Sequence, residues 1–118
     1  MAASELSEQI AVVRILQKGG IVFCAVPNGG KRRLHEARML KASGTRAGVP
    51  DLLLFSVPDG ADFCGVALEM KRADGRMSNL SKSQKEWIAK LEDCGWCCLV
   101  GFGARDALGK LRDLGYGI

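Results

Sequence analysis

The sequence predicts an α/β protein in which a mixed central sheet is flanked by helices, in the order α-β-α-β-β-α-β-α. Two observations carry this. Four segments repeat apolar residues at helical spacing and are bounded by capping or glycine signals. Between them lie four short apolar runs punctuated by Pro and Gly, as expected of strands. Strands interleaved with helices point to a sheet with helices on its faces. The 118 residues suffice for one domain, 1–118, with a single core. No internal repeat, linker or low-complexity segment interrupts it.

The first helix is predicted over residues 4 to 18. Ser4 can cap it, Glu5 favours its N-terminal dipole, and Leu6, Ile10, Val13 and Leu16 recur at helical spacing. Gly19-Gly20 stops it. Ile21 to Val26 reads as a buried strand and Pro27 to Gly30 as a loop. Residues 33 to 43 form a short basic helix with Leu34, Ala37 and Leu40 inward and Gly44 as terminator. Leu52 to Val57 is a continuous apolar strand, covered on both faces. Pro58-Asp59-Gly60 turns the chain, and Phe63 to Met70 returns as the second arm of a hairpin.

Ser81-Lys82-Ser83-Gln84 is a capping box for the next helix, with Ser81 as N-cap and Gln84 three residues on. Trp87, Ile88, Leu91 and Cys94 make its apolar face, and Gly95 closes it. Trp96 to Val100 is the last strand. Residues 104 to 114 make the last helix, with Ala107, Leu108, Leu111 and Leu114 inward.

Composition is that of an ordinary globular protein. No stretch of about 18 uncharged apolar residues is present, so no membrane span is expected. The N-terminus lacks the basic start and apolar run of a secretory signal, which favours an intracellular, cytoplasmic protein. Five cysteines, Cys24, Cys64, Cys94, Cys97 and Cys98, read as free and mostly buried thiols in a reducing compartment. The lone histidine is His35, so a zinc site would need unusual ligands.

Net charge is +4, but its distribution is uneven. Lys31, Arg32, Arg33, Arg38, Lys41 and Arg46 face one acid, Glu36. A second basic group comprises Arg72, Arg76, Lys82 and Lys85. Such patches suit a polyanion, although alone they read as solvated faces.

Two acids and a lysine carry the chemistry. Asp51 opens the first hairpin strand and Glu69 lies near the end of the second, with residue 60 midway between them. In a simple antiparallel hairpin they face each other, with Cβ atoms about 4.5–5.5 Å apart. Two carboxylates so close repel unless a cation lies between them. A hard cation such as Mg²⁺ suits two carboxylates and a backbone carbonyl. Strand alternation puts Lys71 on the face of Glu69 and turns Met70 into the packing. Lys71 can then orient or deprotonate a water, or neutralise charge growing on a phosphate. Isolated Glu-x-Lys would be a surface ion pair. Matching register with Asp51 makes phosphodiester hydrolysis an equal contender, because buried strand ends rarely gather charge without a use.

At this point the sequence resembles the VRR-NUC family, the virus-type replication-repair nucleases of the PD-(D/E)XK superfamily. The resemblance lies in Ser7-Glu8-Gln9-Ile10, Pro27-Asn28-Gly29-Gly30-Lys31-Arg32, Ala47-Gly48-Val49-Pro50-Asp51-Leu52, Leu68-Glu69-Met70-Lys71-Arg72 and Ser83-Gln84-Lys85-Glu86-Trp87. It implies a restriction-endonuclease-like core. It implies Asp51, Glu69 and the Met70 carbonyl as ligands of Mg²⁺ or Mn²⁺, with Lys71 as the catalytic lysine. Glu8 would match the family's additional acid near the metal, directly or through water. Gln84 would lie beside the active site, whereas local physics makes it a capping partner. The resemblance also implies DNA as substrate, branched or four-way (Holliday) junctions in replication, repair or recombination, a homodimer, and a viral, phage or bacterial origin. The candidate DNA contacts are Asn28, Lys31, Arg32, Arg33, Arg38, Lys41, Arg46, Arg72, Lys82 and Lys85, which position the backbone without reading sequence.

Two alternatives compete. One is a nucleic-acid-binding module without catalysis, which intact Asp51, Glu69 and Lys71 oppose. The other is a thiol redox protein using Cys94 and Cys97. That Cys-x-x-Cys falls at a predicted helix C-terminus, where the dipole has the wrong sign to stabilise a thiolate.

Overall fold

The computed structural model describes residues 3–27 and 34–118. Its elements are α1 (Glu5–Lys18), β1 (Phe23–Ala25), α2 (Leu34–Ala42), β2 (Leu52–Leu54), β3 (Val66–Lys71), a 3₁₀ turn (Met77–Asn79), α3 (Lys82–Asp93), β4 (Cys97–Phe102) and α4 (Ala104–Asp113). The order follows the sequence expectation; β1, β2 and β3 are shorter than expected, β4 runs on to Phe102, and a 3₁₀ turn is added.

The four strands form one sheet in the order β1-β2-β3-β4. β1–β2 and β2–β3 are antiparallel and β3–β4 is parallel, so the sheet is mixed. A parallel neighbour needs a crossover, and α3 supplies it. The hairpin register is the expected one: Leu52 faces Leu68 and Leu54 faces Val66. Residue 60 is the mirror point. Gly60 takes φ 77° there, and Ala61 donates to the Pro58 carbonyl at 3.1 Å.

Alternation along β2 and β3 divides the side chains. Leu52, Leu54, Val66, Leu68 and Met70 join Val12 and Leu16 of α1 and Ala107, Leu108 and Leu111 of α4 in the core. Met70 is fully buried, as its inward orientation requires. Gly101 lets α4 press close to β4, since a Cβ there would lie 2.5 Å from that of Ala107. Ala67, Glu69 and Lys71 fall on the other face, where Cys98 of β4 meets the Ile88 carbonyl of α3.

Three expectations about packing need correction. In α1 the buried residues are Val12 and Leu16, while Leu6 is 65% and Ile10 43% exposed. The inner stripe runs Glu5, Glu8, Val12, Leu16 at steps of three and four residues. β1 is an edge strand with Cys24 and Ala25 exposed rather than a buried one, because β2 alone flanks it. No residue of α2 is buried, and Leu34 is exposed, because this helix lies outside the core that α1 and α4 form. Its end is as expected: Gly44 takes φ 108°, and Thr45 donates to the Leu40 carbonyl at 2.9 Å.

Candidate active site

Asp51 sits at the entrance of β2, on a loop that local sequence holds tightly. Gly48 has φ 90°, and a Cβ there would lie 2.6 Å from the Ser83 carbonyl carbon. Only glycine combines that backbone with that approach to α3. Pro50 is fully buried beside Asp51. The Asp51 carbonyl accepts from Val26 N–H at 2.8 Å, and its Oδ2 accepts from Met70 N–H at 2.7 Å. Backbone and side chain thus tie Asp51 to the chain leaving β1 and to β3.

Continuing the hairpin register by one residue places Asp51 opposite Glu69. Glu69 is only 2% exposed. A third acid, Glu5, completes the group. Carboxylate oxygens of Glu5, Asp51 and Glu69 lie within 4.8 Å of one another. Glu5 is exposed, Asp51 half-buried and Glu69 buried, so the cluster runs from solvent into the protein.

Burial pushes the Glu69 carboxyl up from 4.5 to about 9, helped by its hydrogen bond to Asp51 and by the charges of Asp51 and Glu5. Lys71 works against this rise. Without a cation, Glu69 therefore keeps its proton at neutral pH, shared with Asp51. An all-oxygen donor set with excess negative charge is what a hard divalent ion requires. The residues fit such an ion.

Lys71 is half-buried at the end of β3. Its Nζ donates to Gln84 Oε1 at 3.3 Å. The same oxygen accepts from Ser81 N–H at 2.8 Å, while Ser81 Oγ accepts from Gln84 N–H at 3.1 Å. Gln84 therefore closes the capping box of α3 and receives the lysine together.

Glu8 is engaged at the start of α4. Its Oε2 accepts from Ala104 N–H at 2.6 Å, supplying the cap that Gly103 cannot give α4. The acid that joins Asp51 and Glu69 is Glu5, one turn earlier. The signal was available: Glu5 and Glu8 continue the buried stripe of Val12 and Leu16 toward the sheet end.

Asn28, Lys31, Arg32 and Arg33 lie outside the described residues. Arg38 and Lys41 are exposed on α2. Arg46 is folded back, its Nη1 donating to the Lys41 and Thr45 carbonyls at 2.8 and 3.0 Å. Arg72 pairs with Asp74 at 3.1 Å and Lys82 with Glu86 at 3.9 Å, both at the surface. Lys85 is exposed on the first turn of α3.

All five thiols are free, and Cys24, Cys64 and Cys94 are exposed, contrary to expectation, because they lie on the edge strand and in turns. Cys94 caps the C-terminus of α3. Burial raises the Cys97 thiol, with Glu92 and Asp62 adding to it. Both facts oppose a reactive thiolate at this pair. No described helix is long and apolar enough to cross a membrane.

The chain is similar to a solved structure described as a VRR_NUC domain protein, with a TM-score of 0.71 and 21% identity over 97% of this chain and 89% of that one. At that identity the likeness concerns the fold alone. No curated protein matches. The family model for the VRR-NUC domain matches residues 3–100, which takes in α1, the whole β2–β3 hairpin, α3 and most of β4. The chain belongs to the VRR-NUC domain family, a nuclease-type family.

Proposed function

We propose that this protein, acting as one nuclease domain, is a divalent-metal-dependent endonuclease that hydrolyses DNA phosphodiester bonds. The observation that carries the reading is the facing of Asp51 and Glu69 across one hairpin, with Glu5 beside them and Lys71 next along the strand. Asp51, Glu69 and Glu5 would hold Mg²⁺ or Mn²⁺, with the Met70 carbonyl as a further ligand. The bound ion would polarise the phosphoryl group and make a neighbouring water more acidic. With the ion bound, Asp51 and Glu69 would serve as ionised carboxylates, Glu69 giving up its proton. Lys71, steadied by Gln84 Oε1, donates to the phosphate oxygens as charge grows on them or orients the attacking water. Gln84 fixes the height of that ammonium group relative to β3.

The finer reading is selectivity for branched DNA, including four-way junctions, by a homodimer serving replication, repair or recombination. Two symmetric cuts suit a two-fold assembly. Exposed Arg38, Lys41 and Lys85, with Arg72 and Lys82, support contacts to phosphates. The experiment is a cleavage panel of single strands, duplexes, flaps and four-way junctions with Mg²⁺ or Mn²⁺, paired with sedimentation of the protein. Fastest cutting of the junction by a dimer is expected. Equal rates on duplex and junction would remove the selectivity and leave the chemistry.

A further inference from the structure

The 3₁₀ turn Met77–Asn79 stands between two depressions. On one side Asn79 lines a polar groove of about 430 Å³ with Glu5, Lys71, Arg72, Asp74 and Gly75, which carries the Glu5 and Lys71 of the candidate site. On the other, Met77 and Ser78 line an apolar recess of about 390 Å³ with Leu80, Lys85 and Ile88. Leu80 is 7% exposed and makes its floor, whereas Met77 is 57% exposed at its rim.

Distance and charge identify what this recess fits. Ile88 follows Gln84 by one turn of α3, about 6 Å along the axis. A nucleic-acid strand advances about 3.4 Å per nucleotide. A strand with its phosphate at Lys71 therefore brings its next one or two nucleotides over the turn. Among the described residues Lys85 is the one charged side chain lining the recess, and Lys82 beside it on α3 is 92% exposed. An apolar hollow with a cationic rim matches a nucleobase and its phosphate. Its volume falls within the range of about 300–1,000 Å³ usual for small-ligand sites.

We propose that the recess receives an unstacked nucleobase of the strand being cut, with Met77 as the wedge that displaces it and Lys85 holding the adjacent phosphate. Apolar side chains inserted at a base step unstack it in this way. Unstacking is least costly where pairing is already broken, so the recess favours forks and branch points over continuous duplex. The proposal rests on the nuclease reading and deepens it by naming a source of substrate selectivity.

The test uses a forked duplex carrying 2-aminopurine, which brightens when unstacked, at each of the two nucleotides flanking the cleavage position in turn. Binding is read with Lys71→Ala protein and Mg²⁺, so that no cutting intervenes. Emission rises several-fold with Met77 intact or replaced by Leu, and stays near that of free DNA with Met77→Ser. With Lys71 intact, Met77→Ser cuts the fork about tenfold more slowly, and an abasic site at the displaced position restores its rate. An equal emission rise in Met77→Ser and the parent protein overturns the proposal. So does a change of solution mass on Met77→Ser substitution, which would make the recess a contact between copies. Unchanged melting of Met77→Ser checks the fold. Failure of the nuclease reading has a different signature, namely no cleavage of any DNA by the unsubstituted protein.

Discussion

Asp51 Oδ2 accepts the Met70 backbone N–H at 2.7 Å, so the β2–β3 pairing continues past the strand through a side chain. That bond orients the aspartate against Glu69. It also leaves the Asp51 carboxylate held by backbone, independent of any cation. The site is pre-formed at its buried end, and Glu5 approaches from the exposed side.

Glu69 makes the fold sensitive to pH. Its carboxyl is raised in the folded chain from 4.5 to about 9, so the native state holds a proton that the unfolded chain releases. Stability from this group is complete below 4.5 and is lost as pH rises toward about 9. Without divalent ions, the melting temperature should fall over that interval more steeply in the parent than in Glu69→Gln. Mg²⁺ displaces the proton, so its stabilising effect should grow with pH. Identical pH profiles for parent and Glu69→Gln would contradict the assignment.

Gln84 performs two tasks that separate on substitution. Gln84→Ala loses the N3 partner of the capping box, expected to cost less than the about 0.5–2 kcal/mol of losing the N-cap itself, and frees Lys71. Gln84→Glu keeps the cap and suits the helix N-terminus, so its melting temperature should match the parent's. Gln84→Ala should lose activity by about 10-fold or more, the scale of a lost positioning contact. Gln84→Glu still accepts from Lys71 but holds it in an ion pair, and should lose activity through the charge it adds beside the phosphate. Thermal melting alongside steady-state cleavage makes the comparison. Full activity in Gln84→Ala would reduce the residue to a cap.

Gly48 serves folding and site geometry together. Gly48→Ala forces a side chain onto φ 90° and against Ser83. The left-handed backbone alone costs about 1–2 kcal/mol, and the crowding adds to it. Denaturant unfolding should show at least that loss, and any folded fraction should bind Mg²⁺ more weakly because Asp51 is displaced. Unchanged stability would mean the loop can move away from α3 freely.

The hairpin and its acids were legible because a short antiparallel pair mirrors about its turn, and Pro58-Asp59-Gly60 marks that turn. The Ser81–Gln84 box was legible because it is local. Glu5 was missed because the apolar spacing of Leu6, Ile10 and Val13 suggested a different inner face. Leu6 and Ile10 are in fact exposed. Glu8 could not be placed from local sequence, since its partner Ala104 lies 96 residues away. The spacing of Leu34, Ala37 and Leu40 gives the helix but not what covers it, and among the described residues α2 stays exposed.

The most direct measurement is cleavage of a four-way junction by the parent protein and by Lys71→Ala, each with Mg²⁺ or Mn²⁺ and with chelator. The parent should cut only with the metal, and Lys71→Ala should bind the junction, keep its melting temperature and leave it intact. Cutting by the parent in chelator, or undiminished cutting by Lys71→Ala, would contradict a metal-dependent nuclease built on Asp51, Glu69 and Lys71.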